Sequence, residues 1–224
     1  MIEKTALIAG ATGLVGGHLL KLLLADPQYS RVVAVTRRPL QGVASPKLEE
    51  LVVDFDALDK SLAQKDFPVD DAYCALGTTI KTAGSQEAFR KVDHDYIVAF
   101  AKAAKAGGSK RMMLVSSIGA DPTSSVFYSR IKGETEQALG VLGFEALHIF
   151  RPGLLIGERT ESRPAESIGK VVSPVLNALL LGPARAYRSI HAEYVARAMR
   201  AAASTGDTGR HIHTYDRMMR LAGA

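Results

Sequence analysis

Short apolar runs alternate along this chain with longer stretches whose apolar residues recur at helical spacing. The short runs predict strands at Thr5–Ala9, Arg31–Thr36, Glu50–Phe55, Ala72–Leu76, Arg111–Ser116 and Ala146–Phe150. They are continuous rather than alternating, and often rich in Val or Ile, as in strands of a parallel sheet covered on both faces. Helices are predicted between them. Leu14–Ala25 stops at Asp26-Pro27, and Gln86–Ala106 stops at Gly107-Gly108. A third helix starts near Ser124 or Ser125 and ends near Gly140 or Gly143. Strand–helix alternation without a linker implies an α/β protein with a doubly wound parallel sheet. After Arg151-Pro152-Gly153 the pattern loosens. Residues 1–224 therefore read as a single domain, with 151–224 forming a small substrate lobe and the sheet edge.

The junction between the first strand and the first helix reads Gly10-Ala11-Thr12-Gly13-Leu14-Val15-Gly16. Gly10 can take backbone angles that other residues avoid. Gly13 would let the main chain approach a pyrophosphate, and Gly16 would let helix and strand pack closely. The helix N-terminus offers free N–H groups to phosphates. Thr12, Leu14 and Val15 share the turn and count with the glycines as cofactor-binding candidates. An ordinary strand-to-helix turn is the alternative. The context points to a Rossmann fold that binds a dinucleotide.

At the end of the second strand an NAD-binding chain would place an acid on the ribose. Here Thr36-Arg37-Arg38-Pro39 supplies two guanidinium groups instead. Arginine forks suit a 2′-phosphate, so NADP(H) is expected over NAD(H); the alternative is that both are solvated loop charges. Asp54 either meets the adenine edge or caps a loop. Leu76-Gly77-Thr78-Thr79 follows the fourth strand, where such sheets line their ligand crevice. Gly77 would admit the cofactor ribose, and Thr78 or Thr79 would bond it or make a turn.

The fifth strand runs into Val115-Ser116-Ser117-Ile118-Gly119, at the same crevice. Tyr128 and Lys132 stand four residues apart, on one face of a helix. A nearby ammonium favours the phenolate, which makes the tyrosine a proton donor and acceptor usable near neutral pH. With the glycine turn and the serine pair, this set resembles the short-chain dehydrogenase/reductase superfamily. Arg151 to Gly157 and Ser189 to Met199 agree with it. Leu76-Gly77-Thr78-Thr79, Ala83-Gly84-Ser85, Phe89 to Asp93, Gly119-Ala120-Asp121 and Tyr128 to Glu134 look like the Tat-interacting-protein family of atypical members. The resemblance implies Tyr128 as general acid/base and Lys132 as holder of the nicotinamide ribose. It implies Ser116 or Ser117 as the serine on the substrate carbonyl, and Pro152 and Gly153 as the loop beside the nicotinamide. The superfamily often has Asn on the preceding helix as part of a proton relay. Here Asp93 takes that place, either holding a water or pairing with Lys132.

Composition narrows the rest. The 224 residues are 47% hydrophobic and 23% charged, with a net charge of +5, ordinary values for a globular protein. The basic residues are scattered, without a nucleic-acid motif, so no nucleic-acid partner is expected. No apolar stretch is long enough to span a bilayer. With no signal peptide visible, a cytoplasmic location is expected. Cys74 reads as a buried core thiol. His94, His148, His191, His211 and His213 invite a metal reading, but no carboxylate or cysteine pattern accompanies them and packed or surface histidines are expected. Val171 to Leu181 reads as pocket wall or core. The expected function is NADP(H)-dependent reduction of a small-molecule carbonyl substrate. Two rivals remain: a cofactor-binding regulator with a protein partner, and a nucleotide-sugar epimerase or dehydratase. Monomer and homodimer are both left open.

Overall fold

The computed structural model describes residues 4–63, 68–157 and 180–224. Six strands form where the apolar runs lie: β1 (Lys4–Ala9), β2 (Tyr29–Thr36), β3 (Leu48–Val52), β4 (Asp71–Cys74), β5 (Arg111–Val115) and β6 (Ala146–Phe150). A short ribbon pairs β7 (Leu155–Ile156) with β8 (Ile190–His191). The C-terminal segment adds β9 (Gly209–His213). The main sheet has the order β3-β2-β1-β4-β5-β6-β9. Every pairing in it is parallel. The order reverses between β1 and β4, so a crevice opens at the carboxyl ends of these strands, where such sheets bind ligands.

Helices cover both faces. On one, α1 (Leu14–Ala25) packs along α7 (Ala192–Ala202), with α8 (Tyr215–Ala222) beside it. Leu19, Leu23, Val195 and Met199 meet Ile8, Val32 and Met113 there. On the other, α2 (Leu58–Ala63), α5 (Tyr96–Ala106) and α6 (Phe127–Gly140) bring Leu58, Ile97, Phe100 and Leu139 onto Leu7, Val33 and Leu114. Alternate residues of one strand thus feed two cores, which is why the strands read as continuously apolar. Each fully buried large side chain contributes roughly 1.5–3 kcal/mol. The rim opposite the crevice is held by polar contacts. Tyr29 donates to Asp71 at 2.7 Å, and the Arg111 guanidinium binds the same carboxylate.

The structure departs from the sequence reading at four places. The third strand ends at Val52 rather than Phe55. The Asp54 carboxylate accepts from the Asp56 N–H at 2.9 Å and starts a 3₁₀ turn, Phe55–Ala57. The helix expected over 86–106 is broken into α4 (Gln86–Arg90), one π turn (Lys91–Asp95) and α5. The third helix begins at Phe127, preceded by Val126 with no side-chain cap. β9 is not among the predicted strands, although His211-Ile212-His213 has strand spacing, because Gly-Arg-His-Ile-His on a sheet edge carries little apolar signal. The expectation for 171–181 falls, up to residue 179, outside the described residues.

Candidate active site

The glycine turn is wedged between the start of α1 and the backbone after β4. Gly10 sits at φ 86°, and a Cβ on it would stand 2.5 Å from the Ala75 carbonyl carbon. A Cβ on Gly16 would stand 1.9 Å from the Gly10 oxygen. Both glycines are required by the fold itself. Gly13 differs. It is exposed, its N–H closes the turn onto the Gly10 oxygen at 2.9 Å, and a Cβ there would lie 3.2 Å from that oxygen. Helix α1 starts from Gly13 with no side-chain cap, so N–H groups of its first turn, Leu14 and Val15 among them, face the crevice end unpaired by a side chain. Thr12 is exposed beside them. This surface fits a pyrophosphate, with bare backbone where a side chain would block approach.

Arg37 and Arg38 are exposed just beyond β2. Asp54 does the capping described above. Thr79 caps the single turn α3 (Ile80–Ala83), accepting from the Thr82 N–H at 3.1 Å. Leu76 is half-buried between the core and the crevice.

The inner face of α6 carries Tyr128, Lys132 and Glu136 on successive turns. That helix lies directly on the loop before it. A Cβ on Gly133 would fall 2.2 Å from Pro122 N, and the Asp121 N–H donates to the Ser129 carbonyl at 3.0 Å. The Tyr128 ring packs beside Phe89, centroids 5.4 Å apart. Lys132 Nζ is 2.7 Å from Asp93 Oδ1, with side-chain exposures of 6% and 0%. Asp93 Oδ1 meets the ammonium as an ion pair rather than along an aligned hydrogen bond. Asp93 Oδ2 accepts from the Thr78 N–H at 2.8 Å. The Thr135 hydroxyl donates to the Asp93 carbonyl at 2.8 Å. Burial works against the Lys132 charge, but the Asp93 carboxylate, aided by Tyr128, outweighs it and holds the lysine above its ordinary pKa. Gly77 lies over this pair, its missing Cβ 3.4 Å from Asp93 Oδ1 and 3.8 Å from Lys132 Nζ. The bare glycine leaves space beside the two charges.

The serines part company. Ser116 is buried and donates to Glu136 Oε1 at 2.6 Å. Ser117 is half-buried, and its hydroxyl makes a 3.3 Å contact with the adjacent Ile118 carbonyl. Glu136, 1% exposed, also takes Arg151 through Nε at 2.9 Å and Nη2 at 2.6 Å, and Arg210 at 3.2 Å. That fixes the Arg151-Pro152-Gly153 loop. The Pro152 carbonyl accepts from Ile118 N–H at 2.9 Å, and Gly153 rests on the Tyr187 and Arg188 carbonyls. Sequence reasoning missed Glu136, the task of Arg151, and Gly133. The available signal was the four-residue spacing that continues from Tyr128 and Lys132 to Glu136.

Cys74 is fully buried, and burial pushes its thiol up to about 12, which leaves it inert as a nucleophile. His148 Nδ1 and His213 Nε2 lie 3.0 Å apart in the core, stacked with His211 and Phe150. Burial, with His211 adding to it, draws His148 down to about 4. Burial, with His148 adding to it, draws His213 down to about 3. Among the described residues no group of three His, Cys, Asp or Glu is placed to hold a metal ion. No helix among them is long and apolar enough to cross a membrane.

Residues 10–142 match a family model described as NAD(P)H-binding. Protein fmp52, mitochondrial, of Emericella nidulans is 41% identical over 179 residues, covering 78% of this chain and 76% of its own length. Protein HTATIP2 of Rattus norvegicus is 41% identical over 172 residues, covering 76% and 70%. Among solved structures, MoeE5 in complex with UDP-glucose and NAD superposes with a TM-score of 0.68 at 17% identity, over 98% of this chain and 81% of its own. A short chain dehydrogenase family protein from Francisella tularensis gives 0.66 at 13% identity, over 94% and 96%. At that identity the structural likeness speaks for the fold.

Proposed function

We propose a function from one premise: the chain belongs to the NAD(P)H-binding, atypical short-chain dehydrogenase/reductase family related to HTATIP2 and Fmp52. The reading is an NADP(H)-dependent oxidoreductase that reduces a small carbonyl compound. The observation that carries it is the meeting of Tyr128, the Lys132–Asp93 pair and the bare Gly77 at one crevice with the glycine turn. A nicotinamide, when bound, supplies the hydride chemistry. Tyr128 gives its proton to the carbonyl oxygen as negative charge develops there. Ser117, whose hydroxyl is not spent on Glu136, donates a hydrogen bond to the same oxygen. Lys132 donates to the ribose hydroxyls over Gly77. Pro152 and Gly153 wall the nicotinamide end. Arg37 and Arg38 take the 2′-phosphate.

Calorimetric titration tests the cofactor part. NADPH binds more tightly than NADH, and Arg37→Ala or Arg38→Ala costs roughly ten- to a hundredfold in NADPH affinity. Equal affinities for the two cofactors in the unsubstituted protein would refute NADP(H) preference. For the chemistry, a panel of aldehydes and ketones is screened for NADPH oxidation. On any substrate found, Tyr128→Phe lowers the rate by roughly 10²–10⁴-fold. Undiminished turnover removes Tyr128 from the role.

One observation favours a second reading. Asp93 stands where the superfamily has the relay Asn, and it grips Lys132 directly. That suits an NADP(H)-responsive regulator with slow turnover. NADPH-dependent capture of a partner together with an inert panel would favour it. The epimerase alternative has only fold likeness behind it. A cytoplasmic location is a proposal too, to be tested by fractionation, since the fungal relatives are named as mitochondrial.

A further inference from the structure

We infer that Asp93 sets which oxidation state of the cofactor this protein prefers, by cancelling the charge of Lys132 where the nicotinamide end would lie. The inference rests on the proposed placement of the nicotinamide ribose over Gly77. The oxidised ring carries a positive charge and the reduced ring is neutral. A bare buried ammonium beside the ring repels the oxidised form and is indifferent to the reduced one. An ammonium paired at 2.7 Å with a carboxylate presents a dipole instead, and most of the repulsion vanishes.

The surroundings make this pair a permanent arrangement. The π turn Lys91–Asp95 inserts a residue into the helical ladder and carries the fully buried Asp93 into the site. The Thr78 N–H and the Thr135 hydroxyl then fix its carboxylate and its backbone. Both charges are shielded from water, so salt screens them poorly. Gly77 is the gap through which a ligand meets them, and its missing Cβ lies nearly as close to Lys132 Nζ as to Asp93 Oδ1. The groups facing the pair are Tyr128 on α6 and Cys74 on β4.

The test is the ratio of dissociation constants, NADP⁺ over NADPH, measured by calorimetry on the full chain, and it needs no substrate. Asp93→Asn keeps an oxygen for the Thr78 N–H and removes the charge. Measured at pH 6 to favour the ammonium, it raises the ratio by roughly three- to tenfold. A tenfold change equals about 30 mV in the potential of the bound two-electron couple. Lys132→Met at pH 8 leaves the carboxylate and lowers the ratio by a similar factor. The double variant, neutral at both positions, returns near the unsubstituted value; if one single variant fails to fold, the shift in the other carries the test. The inference is overturned if both oxidation states bind and the ratio stays within about twofold of the unsubstituted value in the single variants. If the unsubstituted protein binds neither cofactor, the cofactor reading itself falls and takes this inference with it.

Discussion

Gly13 and Gly16 are three residues apart and answer to different demands. A methyl group at Gly16 would overlap the Gly10 carbonyl oxygen, at 1.9 Å. Gly16→Ala therefore loses about 3 kcal/mol or more from overpacking, a melting point lower by roughly 6 °C or more. At Gly13 the methyl would sit 3.2 Å from the same oxygen, a contact the turn can absorb. Gly13→Ala melts within a few degrees of the parent but weakens NADPH at least about tenfold, because the methyl stands where the pyrophosphate comes closest. Thermal melts and NADPH fluorescence on the two variants check the division. If Gly13→Ala binds undiminished, the pyrophosphate lies elsewhere. The spacing of these glycines is plain in the sequence. Their division of labour is also an expectation of the sequence; the pressure of Gly10 on Ala75 is not, because it depends on a turn closed in three dimensions. The two serines are similar. Nothing local tells Ser116 from Ser117, and only the buried Glu136 on another element decides which hydroxyl is spent.

Helix α6 is pinned by two ion pairs of opposite sense, in each of which its own residue is buried. Lys132 holds the π turn between α4 and α5, and Glu136 holds the loop after β6. Tyr128, one turn ahead, has its position set by these two pins and by Gly133. Removing one partner of a buried pair costs roughly 3–5 kcal/mol, mostly through the charge left behind. Glu136→Ala and Arg151→Ala should each destabilise strongly, and the double variant should lose much less than their sum. Chemical denaturation of all four proteins gives the coupling, expected at about 1–3 kcal/mol; additive losses would show that the contact does not tie α6 to that loop. The elements with strong apolar patterns were legible from sequence: β1, β2, β4, β5, β6, α1 and α6. The π turn was not, since its sequence is as good a helix as its flanks. Nor was β9, whose half-exposed edge position asks for no apolar run.

For the molecule as a whole, the stacked histidines predict an acid sensitivity. Folded His148 titrates at about 4 and His213 at about 3, against 6.5 for an ordinary histidine. The unfolded chain therefore takes up these protons first. The stability they secure is complete above about pH 6.5 and is lost as pH falls toward those folded values, with a slope of about 1.4 kcal/mol per pH unit for each histidine. Melting temperature should fall by several degrees from pH 7 to pH 5, and His148→Phe/His213→Phe should flatten that decline. An unchanged slope in the double variant would assign the sensitivity to other groups. The same C-terminal segment has another bearing. Gly10, Ser117, Tyr128 and Lys132 all lie in the first two-thirds of the chain, yet the apolar face of α1 is covered by α7, and Arg200 reaches back to Asp26 at 2.6 Å. During synthesis the ribosome therefore releases every proposed catalytic group before the residues that close the core behind the first helix. A product cut short ahead of residue 192 carries the whole reaction apparatus on a sheet with an open β6 edge and a bare leucine face, a species for chaperones and proteases rather than for turnover.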